Sequence, residues 1–334
     1  MLTLSHVHQL FSVETCHAYI HALQWKDRPF QCPHCHSPEV SPWGTYHYRP
    51  GFKRYRCKDC GRTFNALTKT LFAQSQRSLA HWIMATFLLC LSCSSRRIAR
   101  ELGVHIRTSY RWCWWLRHAA VSYEMDRRVE GTVEADDLYH TAGKKGQAHQ
   151  GGTKPLGRRP RRRRKKREPD RGHYDKDRPA IIAWVSRQGP VVVQAVKDFT
   201  VATVQQAADL TIEVGSRLYT DSASSYRALK GYYHEFVHHT KKAYARGEVH
   251  ENRAECLFSL LRPYLRMFRG IGKSNLPGYV GFFQFLRNSR YQHAFEQAEM
   301  ILQAALDPSV ASKARKGEFV TCLDYFDLLQ TPIN

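Results

Sequence analysis

The sequence predicts a multidomain protein of the α/β class. Three observations lead to this prediction: a cysteine-rich, strand-like segment near the start, a stretch of apolar residues at helical spacing over 75–120, and a change to strand patterns from about residue 130. After residue 130 the order is three strands, a helix, two strands and a helix, which is typical of an α/β or α+β catalytic core. With 334 residues, the chain is long enough for two or three domains.

Residues 1–28 predict a short amphipathic helix that leads into the cysteine-rich segment 29–68. That segment holds two Cys-x-x-Cys pairs with 21 residues between them, a spacing that closes four thiols on one tetrahedral zinc ion. The strand-like residues between the pairs predict a β-hairpin that turns at Pro50-Gly51. The segment therefore predicts a zinc ribbon whose ligands are Cys32, Cys35, Cys57 and Cys60.

Two disulfides are the alternative use of these cysteines, but they require an oxidising compartment that nothing else in the chain supports. A closed four-thiolate zinc site leaves no position for water or substrate, so the zinc is structural. A third pair, Cys90 and Cys93, lies inside a helical pattern and is assigned to the core.

The segment 75–120 predicts two helices joined by a tight turn at Leu102-Gly103-Val104, a helix-turn-helix candidate. The first helix is expected from about Ser95 to Glu101, and the second from near Ile106. Packing alone is the simpler interpretation of such a hairpin, but the neighbouring ribbon and the arginines favour DNA binding. The side chains expected to point outward are Arg107, Thr108, Ser109 and Arg111.

The net charge of +22 indicates a polyanionic partner. Half of the excess lies in 143–178, where 15 lysines and arginines stand against 4 acids, so this segment is interpreted as an insertion that grips phosphates or is simply solvated. The start shows no secretion signal, and the apolar run 82–91 is too short to span a bilayer. These features predict an intracellular protein with no membrane partner.

Acids stand at the predicted strand ends and on the last helix of the core. Asp136 and Asp137 end the first strand, Asp221 ends a later one, and Glu255 is on the helix. Carboxylates placed this way can converge on two Mg²⁺ ions for an in-line phosphoryl displacement. Alternation lets only one of the two neighbouring aspartates face a metal, and Asp221 has the alternative of capping a helix. Glu134 is expected to point away from Asp136 as an exposed strand residue.

The blocks VEADD, YTDSASSY and HENRAECLFSLLRPYLRMF resemble the three catalytic blocks of insertion-sequence transposases of the DDE superfamily, specifically the ISXO-like group. The resemblance runs from the ribbon to about residue 290 and implies an RNase H-like mixed sheet with flanking helices. By position it assigns the catalytic, Mg²⁺- or Mn²⁺-binding roles to Asp136, Asp221 and Glu255, with Asp137 and Asn252 as alternatives. Arg262 stands where a lysine is more usual and is a candidate phosphate contact.

The sequence thus predicts a transposase that binds terminal inverted repeats and catalyses Mg²⁺-dependent strand cleavage and 3′-OH strand transfer. The alternatives are a regulator derived from a transposase and an RNase H-like nuclease without strand transfer. The resemblance implies a homodimer or larger assembly on DNA, in the cytoplasm and on the nucleoid. The expected domains are the helical segment 1–28, the ribbon 29–68, the helix-turn-helix 75–120, the catalytic domain 130–300 and a helical tail 301–334. The candidate DNA contacts are Arg107, Thr108, Ser109, Arg111, Arg158, Arg159, Arg161, Arg162, Arg163, Arg164, Lys165, Lys166, Arg167 and Arg262.

Overall fold

A computed structural model describes residues 12–46, 49–73, 75–142, 173–174, 177–237, 250 and 252–316. These residues form two compact units. The first contains 12–126 with 285–316, and the second contains 127–284. The catalytic domain was expected to extend to residue 300, whereas the residues after 284 belong to the first unit.

The first unit begins with a helix and a small antiparallel sheet. Ser12 caps the helix through a hydrogen bond from the backbone N–H of Thr15, and His21 of this helix lies 2.6 Å from the hydroxyl of Tyr55 in the sheet. Tyr46 pairs with Arg49, so the chain reverses before Pro50 and not at Pro50-Gly51 as expected. The elements are α1 (Val13–Gln24), β1 (Val40–Tyr46), β2 (Arg49–Cys57) and β3 (Thr63–Phe64), in the sheet order β1-β2-β3.

Three helices follow where the sequence predicted two. The chain breaks at Ser92, which has a φ of 58°, and Ser94 then caps the next helix. The second break was predicted, and there Gly103 takes a φ of 60°, a conformation that suits glycine. The bounds are α2 (Leu79–Cys90), α3 (Ser95–Glu101) and α4 (Ile106–Tyr123), so the expected limits of α3 and the start of α4 are confirmed.

Two C-terminal helices complete the first unit and explain its boundary. The ring of Phe295 stacks on Phe87 of α2 with centroids 4.1 Å apart, and the backbone N–H of Leu71 donates to the carbonyl oxygen of Ala305. These contacts explain why the residues after 284 belong to the first unit. The helices are α9 (Ala294–Ala305) and α10 (Pro308–Lys316).

The second unit is a five-stranded mixed sheet with helices on both faces. The sheet order is β6-β5-β4-β7-β8, in which β4, β5 and β6 are antiparallel while β7 and β8 run parallel to β4. This is the RNase H-like mixed sheet that the resemblance to the transposases implied, and the fold class is confirmed. The strands are β4 (Thr132–Tyr139), β5 (Ala180–Ser186), β6 (Val191–Val196), β7 (Arg217–Asp221) and β8 (Tyr233–Val237).

Both faces of the central strand β4 are covered. On one face Val133 and Ala135 are fully buried in a cluster with Val204 and Ala207 of α5. On the other face α7 packs across β4 and β5. The helices are α5 (Val201–Thr211), the short α6 (Ser224–Arg227), α7 (Asn252–Met267) and α8 (Leu276–Asn288), within which the chain returns to the first unit. No helix in the described ranges is both long and apolar enough to cross a bilayer.

Candidate active site and metal centre

The four cysteines of the small sheet lie together. Their sulfur atoms are all within 4.8 Å of one another, with 3.7 Å between Cys32 and Cys60 and 3.6 Å between Cys35 and Cys57. None of the described cysteines forms a disulfide. The backbone N–H of Cys60 donates to the sulfur of Cys57 and lowers the pKa of that thiol, which favours the thiolate that zinc binds. Four thiols at this spacing fit a tetrahedral Zn²⁺ ion.

The outward side of α4 differs from the expectation at one residue. Arg107 and Arg111 are exposed and Thr108 is partly exposed, but Ser109 is buried and its hydroxyl donates to the carbonyl oxygen of Ser95 at 2.8 Å. The expectation that Ser109 points outward is therefore wrong, because this hydroxyl links α4 to α3. Tyr110, which is 52% exposed, lies on the outward side.

Asp136 and Asp221 lie on neighbouring parallel strands, β4 and β7. Thr132 of β4 pairs with Arg217 of β7, and Glu134 pairs with Tyr219. The pairing ends there, and the same register continued by two residues would set Asp136 opposite Asp221. Residues at the same level of parallel strands point to the same face, so both carboxylates share the face that α7 covers.

Asp137 and Asp221 each have a local structural role as well. Alternation puts Asp137 on the face of Ala135, and its backbone N–H donates to Oδ1 of Asp136 at 2.7 Å. Oδ1 of Asp221 accepts from the backbone N–H of Ala223 at 2.9 Å and forms an Asx turn. The next helix begins at Ser224 with Ala223 as its N-cap and no side-chain cap, so Asp221 does not fill the capping role that the sequence left open. Oδ2 of Asp221 can act as a ligand for a cation.

Glu134 contradicts the expectation made for it. Its side chain is 0% exposed and forms an ion pair with Arg187, with 2.7 Å between Oε1 and Nε. It lies two residues before Asp136, so alternation puts both on the same face instead of opposite faces. Neither Glu134 nor Arg187 was singled out as a site residue, because the helix that covers them, α7, begins only at Asn252, far from both in the chain.

Glu255 lies on the exposed side of α7. The buried side of this helix includes Ala254, Leu257 and Phe258, whereas Asn252, Glu255 and Arg262 are exposed. Arg262 follows Glu255 by two helical turns and therefore shares its side of the helix.

The acids do not converge as the thiols do. Within the described residues, the four cysteines have ligand atoms close enough together to hold one metal ion. Asp136, Asp221 and Glu255 do not form such a cluster. Their chemistry nevertheless fits Mg²⁺, which prefers carboxylate oxygens and retains several waters. The basic run from Arg158 to Arg167 lies outside the described residues.

Two family models match the chain. The ISXO2-like transposase domain matches residues 128–288, and the transposase zinc-ribbon domain matches residues 12–63. A protein of Halobacterium salinarum named as an uncharacterized protein in transposable element ISH50 is 30% identical over 289 residues, which are 85% of this chain and 94% of the relative. No solved structure matches the chain.

One match covers the four-cysteine cluster, and the other covers the mixed sheet. The zinc-ribbon match covers α1 and the four-cysteine cluster, so the cluster is a structural zinc site of a recognised kind. The transposase match begins just before β4 and ends with α8, and so it contains the whole mixed sheet. The alignment with the Halobacterium salinarum protein covers nearly the whole length of that relative. The chain therefore belongs to the ISXO2-like family of insertion-sequence transposases.

Proposed function

We propose that the protein cuts the ends of its insertion sequence and joins them to target DNA, with Asp136, Asp221 and Glu255 as the catalytic acids that hold two Mg²⁺ ions. Asn252 is the alternative third ligand and Asp137 the alternative to Asp136. The observation that supports the proposal is the register of β4 and β7, which pairs Glu134 with Tyr219 and, continued by two residues, would bring Asp136 opposite Asp221 on the face where α7, the helix of Glu255, packs.

The reaction is a pair of phosphoryl transfers at one site. Water attacks the phosphate at the element end, the bond to the 3′ oxygen breaks, and a 3′-OH and a 5′-phosphate are left. The 3′-OH then attacks a phosphate of the target, the bond from that phosphate to the 3′ oxygen of the neighbouring target nucleotide breaks, and the target strand is left with a free 3′-OH. Mg²⁺, when bound, supplies charge neutralisation at the phosphate and activates the attacking oxygen. The acids hold the ions, and the guanidinium of Arg262 is suited to a bidentate contact with the DNA backbone.

DNA binding is assigned to both units. On the first, Arg107, Thr108 and Arg111 line the outward side of α4, and a second helix preceded by a tight turn is the arrangement that enters a major groove. Arg56 lies 4.7 Å above the exposed ring of Trp43 on the ribbon hairpin, a basic and aromatic surface suited to the same partner. The segment from Arg158 to Arg167 is proposed to grip phosphates, and two chains are proposed to pair two ends.

The test is Asp136→Asn in an assay of Mg²⁺-dependent cleavage of a duplex that carries one element end. The change keeps the shape of the side chain and removes its charge, so we expect cleavage to fall by about a thousandfold or more, while binding of the uncut duplex stays within about twofold. Equal cleavage by the variant and the unchanged protein overturns the assignment. A larger loss in Asp137→Asn transfers the role to that residue.

The same assay separates the alternatives. Joined products that link the element end to a second duplex require strand transfer and exclude a simple nuclease. Tight end binding without cleavage at any Mg²⁺ or Mn²⁺ concentration would indicate a regulator derived from a transposase.

A further inference from the structure

Glu134 is a buried acid that the proposed reaction does not use. It lies on β4, two residues before Asp136, and its side chain has no exposed surface. Burying a carboxylate is costly unless the charge is paired and its oxygens are hydrogen-bonded. The partners of Glu134 therefore indicate why the sheet tolerates it.

Each oxygen of Glu134 binds a different element. Oε1 accepts from Nε of Arg187, just after β5, at 2.7 Å, and Oε2 accepts from the backbone N–H of Arg253 at 2.7 Å. The guanidinium of Arg187 lies 4.9 Å from the ring centroid of Tyr219, the residue opposite Glu134 on β7. Its Nη2 is 3.0 Å from Nε2 of His250, and Nδ1 of His250 is 3.4 Å from Oε1 of Glu134.

The contact with Arg253 joins the sheet to the start of α7. Arg253 is the second residue of this helix, and the first N–H groups of a helix have no partner within it. They also form the positive end of the helix dipole, so a carboxylate is favoured there. The side chain of Arg253 donates in turn to the backbone oxygen of Arg187. Glu134 and Arg187 therefore bind the same helix end at two points.

The proposed metal ligands stand close to both sides of this link. Along the strand, Asp136 is two residues, or about 6.6 Å, beyond Glu134. Along the helix, Glu255 is two residues, or about 3 Å of axial rise, beyond Arg253. A shift of the helix start would therefore move Glu255 relative to Asp136 with little attenuation.

We propose that Glu134 and Arg187 are positioning residues that fix the start of α7 on β4 and thereby set the position of Glu255 relative to Asp136. This inference rests on the proposed function, since it gives Glu255 and Asp136 a shared task. It assigns no contact between Glu134 and the DNA or the metal ions.

The test compares Glu134→Gln with the unchanged full-length protein by hydrogen exchange and by cleavage kinetics. Glutamine keeps the size but cannot accept at both atoms, so amides in the first turn of α7 should exchange about tenfold faster or more, while those of β5 and β6 stay protected. We expect kcat to fall about 10–100-fold with KM for DNA within about twofold, and higher Mg²⁺ to restore part of the rate. Glu213→Gln is the matched control, because Glu213 pairs with Arg128 at an exposed site, and it should change neither measurement.

A second variant covers the case in which Glu134→Gln does not fold. Arg253→Pro deletes the backbone N–H, and proline is tolerated in the first helical turn, so it should reproduce the loss of kcat, whereas Arg253→Ala keeps the amide and should lose less. Unchanged exchange in α7, or faster exchange with normal kcat, overturns the inference. If the unchanged protein itself cleaves no DNA, the proposed function fails, whereas normal cleavage by Glu134→Gln sinks only the positioning role.

Discussion

The four thiols of the ribbon and the three acids proposed as catalytic differ in how close together they lie. The cysteines come from two short turns, one before β1 and one at the end of β2, and their sulfurs lie within 4.8 Å of one another. The acids come from two strands and a helix that are far apart in the chain. Neutral thiols can be neighbours at little electrostatic cost, whereas two carboxylates 4 Å apart repel by about 4 kcal/mol at an effective dielectric constant of 20. A ligand set of the first kind can preassemble, and one of the second kind needs a countercharge.

The largest effect expected from this difference is on the ribbon. Cys57→Ser removes one ligand, and because structural zinc contributes on the order of 10 kcal/mol to the folding of small zinc domains, the ribbon should lose its ion and unfold. Zinc content, measured by atomic emission, should fall well below one ion per chain, and amides of β1 and β2 should lose their protection. Cys256→Ser, at an exposed position on α7, is the control and should retain the zinc. A full complement of zinc in Cys57→Ser would contradict the assignment.

The second effect tests which side chain completes the acid set. Asn252 and Glu255 are both exposed and lie three residues apart on α7. Removing a ligand of a catalytic ion costs several kcal/mol of transition-state stabilisation, so we expect Glu255→Gln to reduce cleavage at least about a hundredfold and to raise the Mg²⁺ concentration needed for half-maximal rate. Asn252→Ala should lose less than about tenfold. The reverse order would make Asn252 the third ligand.

The same comparison shows how far local sequence determines a site. The zinc ligands, the strands of the mixed sheet and the limits of α3 follow from spacing, alternation and caps, all of which act over a few residues. Glu134 was assigned wrongly on two counts: residues two apart on a strand share a face, so it does not point away from Asp136, and alternation does not tell whether a distant helix covers that face. The predictions for Pro50 and Ser109 were wrong for related reasons. The pairing of β1 with β2 sets where the hairpin turns, and a carbonyl oxygen on α3 binds the hydroxyl of Ser109.

A smaller effect is expected at α4, where burial separates neighbours in the sequence. Arg107→Ala should weaken binding of end DNA and reduce the slope of log affinity against log salt by about 0.9, the share of one phosphate contact. Ser109→Ala should leave both unchanged and reduce the free energy of unfolding by about 1 kcal/mol, because it removes the buried hydrogen bond to Ser95 and a weak contact with Sγ of Cys113. Fluorescence anisotropy over a salt series measures the first effect, and thermal unfolding the second. Loss of affinity in Ser109→Ala would contradict the buried position.

The smallest effect is a pH dependence of the second unit. Burial lowers the pKa of His140 and of His234, whose Nε2 lies 2.9 Å from the hydroxyl of Thr220. The unfolded chain then binds more protons than the folded one as the pH falls below about 6.5, so stability is complete above that pH and decreases below it, by at most about 1.4 kcal/mol per pH unit for each histidine. Hydrogen exchange in β7 and β8 at pH 7.5 and 5.5, corrected for the intrinsic pH dependence, should show this loss, and His234→Asn should remove its share. If stability changed with pH equally in His234→Asn, the pKa of this ring would be the same in the folded and unfolded states. Protonation of His234 would then not affect the stability of the sheet that carries Asp136 and Asp221.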